Sequence, residues 1–362
     1  MYLNKISVTN FKNISQTTLS FSKKLNCITG INGSGKTNLL DAVYFLSMTK
    51  SYFPSADQYI IRYGENRAAI TGEYINSDKT SEKISVNIDT ASGKQIKRNS
   101  KPYSRLSDHV GLIPVVMISP SDSALINESG EERRRYLNSI LSQLDREYLR
   151  RLQNYNILLS QRNKLLKSDF FSEDLLWAYS EKMAQDGQYI YEKRREFVKS
   201  ISPSVEYYYG VISGERESIT IEYRSDLEGT TISELFSSNL KRDSLLRYTT
   251  SGIHRDDLFF TMNGHPIKRG GSQGQQKSFL VSLKLAQFSA IREQKGEPPV
   301  LLLDDIFDKL DILRVESLLK LVATSDFGQI FLTESNKLRV SEILETIDGD
   351  SLSFEIDKGR VI

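Results

Sequence analysis

Eight residues near the start of the chain, Gly30-Ile31-Asn32-Gly33-Ser34-Gly35-Lys36-Thr37, have the spacing G-x-x-x-x-G-K-[ST]. The chemistry of that pattern is phosphate binding. Glycines let successive backbone N–H groups point at one anion. A helix starting at about Gly35 adds the positive end of its dipole. Lys36 would reach the β- and γ-phosphates of ATP, and the Thr37 hydroxyl would sit on Mg²⁺. The flanks agree. Leu25-Asn-Cys-Ile-Thr29 is a short apolar strand, and Thr37 to Met48 carries Leu39, Leu40, Val43, Tyr44 and Leu46 at helical spacing. A glycine turn that merely joins strand to helix needs neither the lysine nor the hydroxyl.

A second segment, Val300-Leu-Leu-Leu-Asp304-Asp305, is an apolar strand ending in carboxylates. P-loop proteins present a Mg²⁺-linked aspartate this way, which assigns Asp304 to the metal. Asp305 follows, where it could orient and polarise an attacking water. Lys36, Asp304 and Asp305 are thus the candidate catalytic residues. Two acids capping a strand ahead of a helix at Asp311 is the plain alternative, and it loses weight beside the P-loop. Lys36 and Asp304 lie 268 residues apart yet must meet at one nucleotide. Everything between them is therefore inserted into the fold and must return to it.

The third signal is Gly270-Gly-Ser272-Gln273-Gly274-Gln275-Gln276-Lys277, directly before a long amphipathic stretch. Glycines and a serine at a helix start leave N–H groups and a hydroxyl for an anion. Alone this is also the ordinary start of a helix. The order P-loop, S-x-G-Q at a helix start, aspartate strand is more specific. It resembles the ABC-type ATPase head, in which the signature segment of one subunit contacts the γ-phosphate held by the other. That resemblance implies an ATP-dependent homodimer, with Ser272, Gln273, Gly274 and Gln275 as nucleotide contacts across the pair. The long helical insertion further resembles the SMC-like branch.

Several segments narrow the resemblance. Leu3-Asn-Lys-Ile-Ser-Val-Thr-Asn-Phe11-Lys-Asn13 resembles the opening of the RecF family of recombination mediators. So do Val116-Met-Ile-Ser-Pro120-Ser-Asp122, Arg133-Arg134-Arg135, Ser251-Gly252-Ile-His254-Arg255-Asp256-Asp257, and Leu303-Asp-Asp305-Ile-Phe-Asp-Lys-Leu310-Asp311. The chain is identified as a member of that family over nearly its whole length. Membership implies a cytoplasmic ATPase that binds duplex DNA, with single strands at gaps as a further candidate. It implies work with RecR- and RecO-type mediators in loading a recombinase, in repair and in the SOS response. Three stretches depart from the wider class and one, at Gly252 to His254, from the family's own pattern. Asp305 stands where many ABC ATPases have glutamate and is one methylene shorter, so turnover is expected to be slow; a weak, DNA-stimulated ATPase is the activity expected. Thr333-Glu334-Ser335 lacks a switch histidine, leaving Thr333 as a candidate γ-phosphate donor. Gly252-Ile253-His254 replaces Gly-Pro-His, and Ser119 to Asp122 holds no glutamine, with Asp122 as a substitute.

The elements that must position these residues follow from patterning. The first 120 residues alternate as strands around one early helix, including Leu3 to Phe11, Thr18 to Phe21, Ala68 to Ile75, Lys83 to Asp89 and the apolar Pro114 to Ser119. From Glu131 to Ser200 almost no glycine or proline occurs, and Leu152, Tyr155, Leu159 and Leu166 fall near heptad spacing. Two or three long helices are expected there, interrupted at Pro203 and Tyr207 to Gly210. Ile219 to Tyr223 is a strand, Thr231 to Leu246 helical, and Leu258 to Met262 with Asn263-Gly264 a hairpin. Ser272 to Lys295 is a long helix, and Val300 to Leu303 and Ile330 to Leu332 are buried strands. The fold class is α/β: an ABC-type P-loop head from residues 1–127 and 249–362, with a mainly helical arm over 128–248.

Composition sets the outer bounds. The 362 residues are 39% hydrophobic, with 48 basic against 46 acidic side chains, so a wholesale basic coat is excluded but a local one is not. One cysteine, Cys27, and three histidines offer no disulfide or metal cluster. No run approaches a membrane span, so no membrane partner is expected. Arg146, Arg150, Arg151, Arg162, Lys164 and Lys167 form one candidate DNA cluster, and Lys94, Lys97, Arg98, Lys101 and Arg105 a second. Arg133 to Arg135 are read as an anchor or a nucleotide sensor. Rival classes are a small-molecule P-loop kinase, another SMC-like ATPase, a scaffold holding ATP structurally, and a transport subunit. The last is disfavoured by the inserted arm.

Overall fold

The computed structural model describes residues 1–168, 172–214, 216–307, 310–324, 326–336 and 350–362. The motif from Leu303 to Asp311 is therefore described except at Asp308 and Lys309. In chain order come β1 (Tyr2–Phe11), β2 (Ile14–Ser20), β3 (Leu25–Thr29), α1 (Lys36–Met48), β4 (Arg67–Ile75), β5 (Ser81–Asp89), β6 (Gly93–Arg98), β7 (Lys101–Pro102) and β8 (Val115–Ile118). Next are α2 (Ala124–Asn127), α3 (Gly130–Leu144), α4 (Arg146–Leu166), α5 (Glu173–Ser213), β9 (Ile219–Arg224), α6 (Ile232–Ser238), α7 (Leu240–Leu246), β10 (Asp257–Met262), β11 (His265–Pro266) and α8 (Ile267–Gly270). The chain returns with α9 (Gln273–Lys295), β12 (Val300–Asp304), α10 (Ile312–Val322), β13 (Ile330–Glu334), β14 (Ser351–Asp357) and β15 (Arg360–Val361).

Two compact units result. The first joins Met1–Asp122 and Gln273–Ile362, with Val211–Gly214; the second holds Ser123–Gly210 and Glu215–Ser272. The first unit contains a sheet of order β15-β14-β3-β13-β12-β8. From β14 to β8 its strands are parallel, and β15 turns back antiparallel. Every residue of β3, β8, β12 and β13 is buried. Such strands are mostly apolar on both faces, as in β8 and Val300 to Leu303 of β12. The buried Asn26 of β3 is satisfied by Ser22, accepting from its N–H at 2.8 Å and donating to its carbonyl at 2.9 Å. The other sheet, β2-β1-β4-β5-β6-β7, is antiparallel. There Ile6 and Val8 are buried while Thr9 is exposed, the period of two expected of a one-sided sheet. Helix α9 is buried almost all round from Ser278 to Ser289, as for a helix inside a layer.

The second unit carries α3, α4, most of α5 and the three-stranded sheet β11-β10-β9. In α4 the buried stripe is Tyr148, Leu152, Tyr155, Leu158, Arg162 and Leu166, a 3.6-residue period that takes Leu158 in place of Leu159. Helix α5 is not interrupted: it runs 41 residues, straight through Pro203 and Tyr207 to Gly210. Proline removes one N–H and crowds the preceding turn. Here Ser202 Oγ donates to the Val198 carbonyl at 2.8 Å and Ser200 Oγ to the Phe197 carbonyl at 2.9 Å, side-chain bonds to the turn that precedes the proline. Ile201, Val205 and Tyr209 are buried on one stripe, so packing outweighs the local penalty. The stretch read as one helix over Thr231 to Leu246 is two, α6 and α7, joined at Asn239. The Asn263-Gly264 turn has φ of 50° and 78°, the left-handed pair that a two-residue hairpin requires.

Candidate nucleotide-binding site

The loop between β3 and α1 has the backbone that its glycines allow. Gly30, Gly33 and Gly35 have φ of 147°, 79° and 116°, values that L side chains rarely adopt. Lys36 is 5% exposed, and its Nζ donates to the carbonyls of Gly30 at 2.7 Å and Ile31 at 3.2 Å. Ser34 is buried, and its hydroxyl has no hydrogen-bond partner within the described structure. A buried donor left without a partner is costly, and a phosphate oxygen would satisfy it. Ile31 and Asn32 lie on the exposed rim.

Parallel pairing of β3, β13 and β12 brings the distant carboxylates to this loop. Thr37 Oγ1 donates to Asp304, with separations of 2.9 Å to Oδ1 and 3.1 Å to Oδ2. Two residues 267 positions apart in the chain are thus in contact. A hydroxyl and a carboxylate, all hard oxygens, suit Mg²⁺, which takes one or two protein ligands plus phosphate and water. Asp304 also accepts from Thr333 Oγ1 at 2.8 Å and Ser119 Oγ at 3.3 Å. Burial still holds its carboxyl above the ordinary aspartate range, against those bonds and Lys36. Nearby positive charge would favour its ionised form.

Asp305 is half-buried, and its φ is 45°. Burial raises its pKa, Lys36 lowers it, and the neighbouring Asp304 and Glu334 raise it again. Its backbone N–H donates to Thr333 Oγ1 at 3.0 Å. Thr333 therefore accepts from Asp305 and donates to Asp304, so its proton points at the carboxylate and not outward. The sequence pattern suggests a phosphate donor there, because only the fold shows Asp304 across the β12–β13 register. Ser119, at the end of β8, is likewise invisible in sequence as an Asp304 partner, since its role depends on β8 lying beside β12.

The signature segment opens α9. Ser272 and Gln273 are exposed, Gly274 and Gln275 half-buried. Lys277, one turn in, donates to the Asp305 carbonyl at 3.1 Å. Ser272 falls in the second compact unit and Gln273 in the first. Asp122, the glutamine substitute, is only 6% exposed and is committed elsewhere: it pairs with Lys284 at 3.0 Å and accepts from Ser119 N–H at 2.8 Å and from Tyr52 OH.

The basic clusters divide on inspection. Lys94 is paired with Asp57 at 2.9 Å, and Arg98 binds Glu82 through two bonds of 2.6 and 2.7 Å. Lys101 and Arg105 are exposed, Lys97 half-buried. On α4, Arg150 and Arg151 share Glu147, and Arg162 is buried against Asp243 at 2.7 Å. Arg146, Lys164 and Lys167 remain exposed. Arg133 grips Asp257 at 2.6 and 2.9 Å and Arg134 donates to the Asp256 carbonyl at 2.7 Å, which makes them anchors of α3 within the second unit. His254 is held between Tyr155 OH at 2.9 Å and the Thr249 carbonyl at 3.1 Å. Burial, helped by Arg255, Arg134 and Arg162, pushes its pKa down to about 4.

Known proteins resemble this chain throughout. The family described as RecF/RecN/SMC N terminal domain matches residues 2–349. The DNA replication and repair protein RecF of Bacteroides thetaiotaomicron is 45% identical over 362 residues, covering 100% of this chain and 98% of the relative. That of Flavobacterium johnsoniae is 43% identical, covering 96% and 97%. A solved structure described as the recombination mediator protein RecF-ATP in the RecFOR pathway superposes with a TM-score of 0.89 at 31% identity, over 100% of this chain and 97% of that one. The Smc head domain from Pyrococcus furiosus matches with a TM-score of 0.59 at 16% identity, covering 100% and 96%, a likeness of fold alone. The architecture is an α/β ABC-type ATPase head with an inserted helical arm.

Proposed function

The chain belongs to the RecF family, within the wider RecF/RecN/SMC N-terminal domain group, and from that membership we propose that it is an ATP-dependent DNA-binding protein of replication and recombinational repair. The observation that carries this reading is the Thr37–Asp304 contact, which assembles one nucleotide site from both ends of a long insertion. The backbone N–H groups of Gly33 to Thr37 and the Lys36 ammonium bind the ATP phosphates. Mg²⁺ on Thr37 and Asp304, when bound, neutralises charge developing on those phosphates.

Asp305 is the residue that orients the attacking water and takes its proton. Burial raises its basicity toward that task. Thr333 holds the Asp305 backbone and the Asp304 carboxylate in one arrangement. Ser272 to Gln275 of a second copy close on the γ-phosphate, so ATP joins two heads into a dimer that clamps duplex DNA at gaps or junctions. Hydrolysis, slow and DNA-stimulated, reopens the clamp. In the cytoplasm the clamp works with RecR- and RecO-type mediators and helps load a recombinase.

Sedimentation of the protein with ATP, with ADP and without nucleotide tests this. Dimer is expected with ATP alone, and Ser272→Arg is expected to abolish it while ATP binding persists. A chain that binds ATP and stays monomeric would sink the head-pairing mechanism and favour a kinase or scaffold reading.

A further inference from the structure

A glycine-rich loop is not rigid by composition. Its three glycines have more conformational freedom to lose than any other residue, so neighbours must hold the loop in its phosphate-binding shape. One restraint comes from the β1–β2 turn. The side chain of Asn13 lies against Gly35, where an added Cβ would meet Oδ1 at 2.9 Å. Asn13 Oδ1 also accepts from Asn38 Nδ2 on α1 at 2.7 Å.

The other restraint comes from the hairpin of β14 and β15. Strand β14 pairs with β3 in parallel, from Ser351 beside Leu25 to Glu355 beside Thr29. Just beyond, Gly30 packs so closely on the Ile356 carbonyl that a Cβ there would overlap it. The Gly359 N–H then donates to the Ser34 carbonyl at 2.7 Å. Gly359 has φ 75° and sits on the backbone of Asn13, where a Cβ would lie 2.5 Å from the Asn13 carbonyl oxygen. The two turns are thus stacked, and the P-loop is held against both.

We propose that the Lys358–Gly359 turn is a positioning element of the nucleotide site, aiming the P-loop N–H groups at the phosphates through its bond to Ser34. The carbonyl of Ser34 and the N–H of Gly35 belong to one planar trans peptide and point in opposite directions. Fixing the carbonyl on Gly359 therefore directs the Gly35 N–H away from the hairpin. Only backbone at residue 359 is involved; Lys358 and Arg360 are exposed, and their side chains are not needed. The inference rests on the reading of this loop as an ATP site.

The test compares four proteins: wild type, Gly359→Ala, a chain shortened to end at Asp357, and the double variant Lys358→Ala/Arg360→Ala. Binding of a fluorescent ATP analogue and of ADP is measured, with melting in the presence and absence of nucleotide and steady-state hydrolysis. Gly359→Ala and the shortened chain should bind ATP and ADP about three- to tenfold more weakly, the net worth of one hydrogen bond. KM should rise while kcat at saturation stays within about twofold. Melting without nucleotide should stay within about 2 °C of wild type in the shortened chain and fall further in Gly359→Ala, whose Cβ would crowd the Asn13 carbonyl at a left-handed φ; in both the rise produced by ATP shrinks. The double charge variant should match wild type. Wild-type affinity in both backbone variants overturns the proposal. So does a fall in nucleotide-free melting large enough to account for the weakened affinity in both, which would make the turn a brace of the fold. Failure of wild type itself to bind ATP would instead remove the nucleotide reading.

Discussion

Asp305 occupies the left-handed backbone region at φ 45° and is fixed there by Thr333 and Lys277 at its N–H and carbonyl. Aspartate tolerates that region better than most residues, so its carboxylate is aimed by the backbone and not by a long side chain. Asp305→Asn should leave ATP affinity intact, slow turnover by about 10²-fold or more, and prolong the ATP-bound dimer; normal single-turnover hydrolysis would remove Asp305 from the chemistry. Thr333→Val deletes the bridge to both aspartates and should cut turnover more than affinity, whereas Thr333→Ser, which keeps the hydroxyl, should largely restore it. The glycines, Lys36, Thr37 and Asp304 could be picked out as candidates because each has a local spacing that chemistry demands. Thr333 and Ser119 were not readable in their actual roles, because a hydroxyl acquires such a role only from the neighbouring strand. His254 gives a pH handle. Its folded pKa of about 4 lies below the ordinary 6.5, so unfolding takes up a proton between those values. The stability it contributes is complete above pH 6.5 and declines as pH falls toward 4. His254→Gln should flatten the dependence of melting temperature on pH across that window.

At the scale of elements, α4 shows why helical patterning located the arm but misjudged its residues. Arg162 lies on the apolar stripe, 1% exposed, and bonds Asp243, Thr249 and Ser180 at 2.7, 2.7 and 3.0 Å. Read as charge alone it belongs to a DNA cluster; its burial converts it into the pin joining α4, α5 and α7. Arg162→Met would leave the Asp243 carboxylate buried and unpaired, at a cost of about 3–5 kcal/mol in urea unfolding. Adding Asp243→Leu should recover much of that deficit. The same logic divides the hairpin cluster. Ala at Lys97, Lys101 and Arg105 should weaken duplex binding and lower the salt slope by about one for each phosphate no longer neutralised. Ala at Lys94 and Arg98, which are paired within the sheet, should change the salt slope little; an equal reduction in slope would assign the paired residues to DNA as well. Helix α5 repeats the lesson from the other side: Pro203 is a strong local stop, overridden by a buried face that only tertiary packing supplies.

For the whole molecule, the decisive quantity was separation along the chain. The distance from Lys36 to Asp304 implied one head built from two ends before any strand was paired, since two halves of one phosphate site cannot lie in different bodies. Beyond reach was the flank that β14 and β15 add to β3: Ser351 to Asp357 alternates strictly between polar and apolar residues, as a strand does, but carries no motif that says which strand it pairs with. That flank has a consequence for the timing of folding. Strand β3 is made among the first 29 residues, yet its neighbours in the sheet are β13, reaching Glu334, and β14, reaching Asp357. During synthesis the P-loop segment therefore emerges hundreds of residues before the strands that flank it. Pairings across such long stretches of chain are slow to form, and the apolar β3 stays exposed to wrong pairing meanwhile. A nascent chain halted short of residue 330 would hold a complete phosphate-loop sequence without the sheet on either side of it. ATP binding by such halted chains, captured at successive lengths, should appear only once β13 has been made and strengthen again when β14 is added.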